Sequence, residues 1–129
     1  MSSIKIGATL GGLTLFSALA TPVKDPATMI YYPYSTISRM ASNTAVGRGA
    51  PYATMYWKNI TRAQRDMLRT FCAGASAAVF ISIPANDSNN TYVNYSGTML
   101  WPLTEKYYTG AAGDLIQDLT ITFVNLVAA

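Results

Sequence analysis

The sequence predicts a mainly β fold, a β-sandwich or barrel flanked by one short α-helix at about residues 62–72. Three observations predict it. Apolar residues alternate with polar ones at a period of two in several segments, as half-buried strands require. Clusters of Gly, Pro, Asn, Asp and Ser interrupt those segments at short intervals. A helix start signal stands out at Thr61, with Gln64 three residues later.

Ile4, Ile6, Ala8 and Leu10 alternate with Ser3, Lys5, Gly7 and Thr9, which predicts a first strand that turns at Gly11-Gly12. Leu13 to Leu19 is expected to return as its hairpin partner and to stop at Pro22 and Lys24-Asp25-Pro26. Lys5, the apolar run Ile6 to Leu19 and Ala18-Leu19-Ala20 imitate a secretory signal. Gly7, Gly11 and Gly12 make a poor apolar helix of that run, too short to span a bilayer, so it is expected to be folded structure. Met29 to Tyr34 is extended and aromatic, and Pro33, which lacks an amide donor, assigns it to a sheet edge or an ordered loop.

Residues 35–51 hold scattered small residues, Gly47 and Gly49 without a sustained period, so a long loop is expected, of the kind that is often functional or interface-forming. The apolar stretch Tyr52 to Trp57 follows. Thr61 and Gln64 then form a capping box that opens a helix running to about Cys72, with Gly74 as a left-handed stop. Ala63, Met67, Leu68 and Phe71 share one face of it; Arg62, Arg65 and Arg69 lie on the other, toward solvent or a partner.

Val79, Ile81 and Ile83 predict a buried strand ended by Pro84, and residues 85–90 a hairpin loop. Tyr92 to Tyr95 and Thr98 to Trp101 read as two pieces broken at Gly97. The last strand runs from Asp118 to Val127, with Leu119, Ile121, Phe123, Asn125 and Val127 on one face. With 129 residues and no internal repeat or linker, the chain is expected to be a single structural domain, 1–129.

Half of the residues are hydrophobic and only 12% are charged, about half the usual fraction. Such a surface is easily buried against another protein, since interface cores are poor in Lys, Glu and Asp and favour Tyr and Met; the chain has nine Tyr and six Met. Histidine is absent, which removes the commonest general base and metal ligand. The single cysteine, Cys72, has no disulfide partner within the chain and reads as a buried core thiol. Asp114 and Asp118 are the nearest approach to a carboxylate pair, and solvated loop charge accounts for them. No phosphate loop follows the glycines, and the sequons at Asn59, Asn86, Asn89 and Asn94 follow from composition. The sequence therefore predicts no enzyme, no cofactor and no metal site.

Charge is unevenly distributed. Residues 39–69 carry +5, from Arg39, Arg48, Lys58, Arg62, Arg65 and Arg69 against Asp66. Residues 70–129 carry −3, from Asp87, Glu105, Asp114 and Asp118 against Lys106. A head-to-tail contact of a basic patch with an acidic one closes into a ring when the rotation allows. Arg48, Arg62, Arg65, Arg69, Asp114 and Asp118 are on that ground the candidate subunit-interface residues, with a solvated helix face and phosphate binding as the competing readings.

Arg48-Gly-Ala-Pro51, Tyr56-Trp57-Lys-Asn-Ile-Thr61, Gln64 and Leu68, Tyr95-Ser-Gly-Thr-Met99 with Pro102, and Asp118 to Val127 together resemble small structural proteins of tailed bacteriophages, of the tail-tube and distal-tail type. The resemblance covers residues 45–127 and implies a homo-oligomeric, often sixfold, ring in the virion tail. It implies as partners copies of the chain and other tail proteins, with DNA only as channel contents, no membrane, and assembly in the host cytoplasm. A coat or decoration protein that binds nucleic acid, and a secreted fimbrial or adhesin subunit, are the alternatives.

Overall fold

The computed structural model describes residues 4–84, 92–107 and 115–129. Its strands are β1 (Lys5–Gly7), β2 (Thr14–Leu15), β3 (Thr28–Tyr32), β4 (Thr36–Arg39), β5 (Ala45–Arg48), β6 (Tyr52–Thr61), β7 (Ser76–Ile83), β8 (Val93–Leu100), β9 (Lys106–Tyr107) and β10 (Leu115–Ala128). Among the described residues one α-helix, α1 (Arg62–Arg69), interrupts them. Eight strands form a curled half-barrel sheet in the order β2-β1-β7-β8-β10-β6-β3, with β9 also on β10. The expectation of a mainly β fold with a single short helix is met.

Every pairing in the sheet is antiparallel, so alternate residues of each strand face the same side. Met29, Tyr31, Ala53, Met55, Trp57, Leu119, Ile121, Phe123, Met99, Val79 and Ile81 turn to the core side, as their alternation requires. That side is closed by Leu68 and Cys72 around the helix and by Phe16, Leu19 and Val23 from the amino-terminal segment. Phe16 packs edge-on against Trp57, with ring centroids 5.9 Å apart at 70°. Trp57 Nε1 donates to the Lys24 carbonyl at 2.8 Å, so one side chain ties the amino-terminal segment to the middle of the sheet.

Several expected boundaries move. The first hairpin exists, but it is only two to three residues deep, because 3-10 turns at Leu10–Gly12 and Phe16–Ala18 replace its outer parts. The second turn swings Phe16 under the sheet, where it is fully buried; Ala8 and Leu10, in contrast, are exposed. The 35–51 segment is no plain loop, since β4 and β5 pair there as a separate hairpin. Four-residue strands with one large apolar residue each, Ile37 and Val46, are too short for a visible period.

The helix ends at Arg69, three residues before Cys72, and Gly74 is not in the left-handed region; Phe71 and Cys72 close the end through i→i−3 bonds instead. Strand β8 runs unbroken through Gly97. A side chain there would stand 2.6 Å from Leu126 Cδ2, so this glycine makes room for the neighbouring strand and does not end its own. In β10 the single-face pattern fails after Phe123. Asn125 takes φ 54°, the register on β8 slips by one residue between Val124 and Val127, and Leu126 turns inward while Val127 is exposed. A bulge of one residue flips every side chain beyond it. Residues 85–90, expected as a loop, lie outside the described residues.

Candidate assembly surface

Helix α1 starts at the expected capping box: Gln64 N donates to Thr61 Oγ1 at 3.2 Å, and Thr61 N to Gln64 Oε1 at 3.1 Å. Its apolar face is narrower than the sequence suggests, with Leu68 buried, Met67 and Phe71 half-buried and Ala63 exposed. Of the arginine face only Arg62 is exposed; Arg65 and Arg69 are half-buried. Arg65 grips Glu105 with two bonds, 2.7 and 3.0 Å, and reaches Asp66 at 3.0 Å. Arg69 Nη1 donates to the carbonyls of Cys72 at 3.0 Å and Gly74 at 2.8 Å, and its guanidinium lies 4.7 Å from the centre of the Trp101 ring. Arg62 stands 5.8 Å over Tyr107.

These contacts clamp the 101–107 segment onto the helix. Two of the arginines expected at a subunit interface, Arg65 and Arg69, thus hold their own chain together. The forked pairing favours the charged forms of both groups, so Arg65 is held above its ordinary value and the Glu105 carboxyl below the usual glutamate value of 4.5. A carboxyl whose folded value is lowered stabilises the fold above its unfolded value, and that contribution is lost as pH falls through the folded one. Thermal unfolding between pH 7 and pH 3 should therefore show a stability loss beginning below about pH 4.5. Arg65→Met should cost about 1–2 kcal/mol at pH 7 and flatten that acid limb, because Glu105 would stay half-buried without its partner.

The second feature is the hairpin β4–β5. Its strands pair only with each other, with Ile37 opposite Gly47 and Arg39 opposite Ala45. The turn is closed by Asn43 N donating to Met40 O at 2.8 Å and Met40 N to Thr44 O at 2.9 Å; Asn43 takes φ 65°, which Asn tolerates. Gly47 leaves the space that the Tyr34 ring fills, since a Cβ there would stand 2.5 Å from Cδ1. Ile37 is 68% exposed and Met40 50% exposed. An open groove of about 400 Å³ lies at the foot of the hairpin, between Tyr32, Tyr34, Ile37 and Tyr52; the Tyr32 and Tyr52 rings stack at 4.2 Å. Arg48 Nε donates to Ser38 Oγ at 2.7 Å and Arg39 to the Asn43 carbonyl at 3.2 Å, with no carboxylate near either in the described residues.

The third feature is the outward face of the sheet. Ile30, Tyr52, Thr54, Thr120, Thr122, Val124, Thr98 and Leu100 occupy it by register, all uncharged. Charge enters at its margins, with Lys5 on β1 and Lys58 on β6, and at Asp118, which accepts from the Tyr56 hydroxyl and pairs with Lys106 at 3.7 Å. That carboxylate raises the Tyr56 pKa. Asp114, the other expected acidic contact, lies outside the described residues.

No family model matches the sequence, and none of the curated proteins matches it. A solved structure of the SPP1 tail tube is similar to this chain. The match has a TM-score of 0.47 at 13% identity and covers 98% of this chain and 75% of that chain.

Of the six sequence-predicted contact residues, the structure therefore leaves Arg48 and Arg62 exposed and outside any ion pair among the described residues. Arg65, Arg69 and Asp118 have partners within the chain. Sequence reasoning missed the exposed Ile37 and Met40, and it missed that Trp101 and Glu105 would receive the arginines. Aromatic and acidic residues 32 to 40 positions downstream give no local signal; the exposed apolar residues of the supposed loop were the one available hint.

Proposed function

We propose that the chain is a non-enzymatic structural subunit that assembles with copies of itself into a ring in a virion tail. The observation that carries this reading is the β4–β5 hairpin. A two-stranded hairpin is marginal in water by itself; this one pairs with no other strand, has the Tyr34 ring against Gly47, and still displays Ile37 and Met40. A partner that covers it explains both facts. The sheet adds support, since it ends in the open strands β2 and β3 and exposes a largely uncharged outward face. A polyanion passes such a face without the counterion release that drives tight binding, which suits DNA as channel contents. The sequence resemblance supplies the tail setting, the other tail proteins as partners, the virion as location and the absence of a membrane. Among the described residues no helix is long and apolar enough to cross one.

Sedimentation velocity of the full chain over a wide concentration range, followed by electron microscopy of the heaviest species, tests the reading. Closed rings of one size are expected. A monomer at every concentration would overturn it.

A further inference from the structure

Strand β3 is an edge strand without the usual protection against pairing. Thr28-Met-Ile-Tyr-Tyr32 contains no charge and no proline, it pairs on one side with β6, and Ile30 is 43% exposed. The chain also carries a short strand with a free edge of similar length, β4, whose Ile37 is the exposed apolar residue at its centre. Laid antiparallel on β3, β4 can place Ile37 opposite Ile30, which puts Arg39 opposite Thr28 and Thr36 opposite Tyr31. Ile30 and Ile37 then meet on the outward face as a cross-strand apolar pair. The charges agree with this direction. Asp25, exposed and without an ion pair among the described residues, lies just before Thr28, within reach of an arginine at position 39. Arg39 needs only to release its long bonds to Asn43, 3.2 and 3.4 Å. Parallel addition would carry Arg39 to the far end of β3, away from any carboxylate.

Resting on the self-assembly proposed above, we infer that β4 of one copy adds antiparallel to the β3 edge of the next, with Ile37 against Ile30 and Arg39 near Asp25. The contact is head-to-tail, since the two patches differ, and it continues the sheet from subunit to subunit. β4 fits better than β5, whose central Val46 is half-buried.

Mixing single-cysteine variants tests it, and both sites are exposed enough for the chain to fold. Under mild oxidation Ile30→Cys mixed with Ile37→Cys should give a disulfide-linked dimer, while each variant alone and Ile30→Cys mixed with Val46→Cys should not. Cys72 is buried and should stay out of the reaction. Asp25→Arg and Arg39→Asp should each raise the concentration needed for assembly by roughly threefold to fivefold, and the double exchange should restore it. Rings without the Ile30–Ile37 link, or a link to Val46, overturn this contact and leave the assembly reading standing. Monomers throughout overturn both.

Discussion

Trp57→Ala should remove about 3–5 kcal/mol of folding stability, the range for truncating a buried aromatic. Trp57 is fully buried, its ring meets Phe16, and its indole N–H satisfies the Lys24 carbonyl. Truncation leaves a large cavity beneath the middle of β6 and frees the segment from Phe16 to Lys24. For a domain of this size that is a large share of the total stability. Chemical denaturation followed by circular dichroism measures it. Trp57→Phe separates the two contributions: it keeps most of the packing, loses the hydrogen bond, and should cost about 1–2 kcal/mol. Equal losses for the two variants would show that the ring is not what anchors the segment.

Leu68→Ala should cost about 2–4 kcal/mol and should act beyond the helix itself. Eight residues are too few to be helical alone in water, so α1 depends on the packing of its one buried side chain. When Leu68 no longer seats the helix, the arginines that hold Trp101 and Glu105 shift with it. Tryptophan fluorescence should then report a changed Trp101 environment at denaturant concentrations where the sheet signal is still intact. Thr61→Ala, which removes only the capping box, should cost about 1 kcal/mol and leave that fluorescence near native.

The central strands were legible because a period of two, repeated from Val79 to Ile83 or from Leu119 to Phe123, is a local statement about which side faces the core. The capping box was legible for the same reason: Thr61 and Gln64 carry their own hydrogen bonds. The weakly marked elements were not. Ile37 and Val46 are single large apolar residues in strands of four, and Gly97 reads as a break unless Leu126 is known to lie beside it. Asn125 looks like a core-facing position until its left-handed backbone slips the register. The candidate contact residues fared unevenly, since a charge count says where arginines are concentrated and not which carboxylate or ring is in reach.

By itself the sequence determined the fold class, the start of the helix and the lack of histidine chemistry. These follow from composition and from interactions between residues a few positions apart. Tertiary structure alone decided that Arg65 and Arg69 turn onto Glu105 and Trp101, that residues 36–48 form a separate hairpin exposing Ile37 and Met40, and that β3 presents an open, uncharged edge. Each depends on segments far apart in the chain being brought side by side, or on what fails to cover them. No local pattern encodes either.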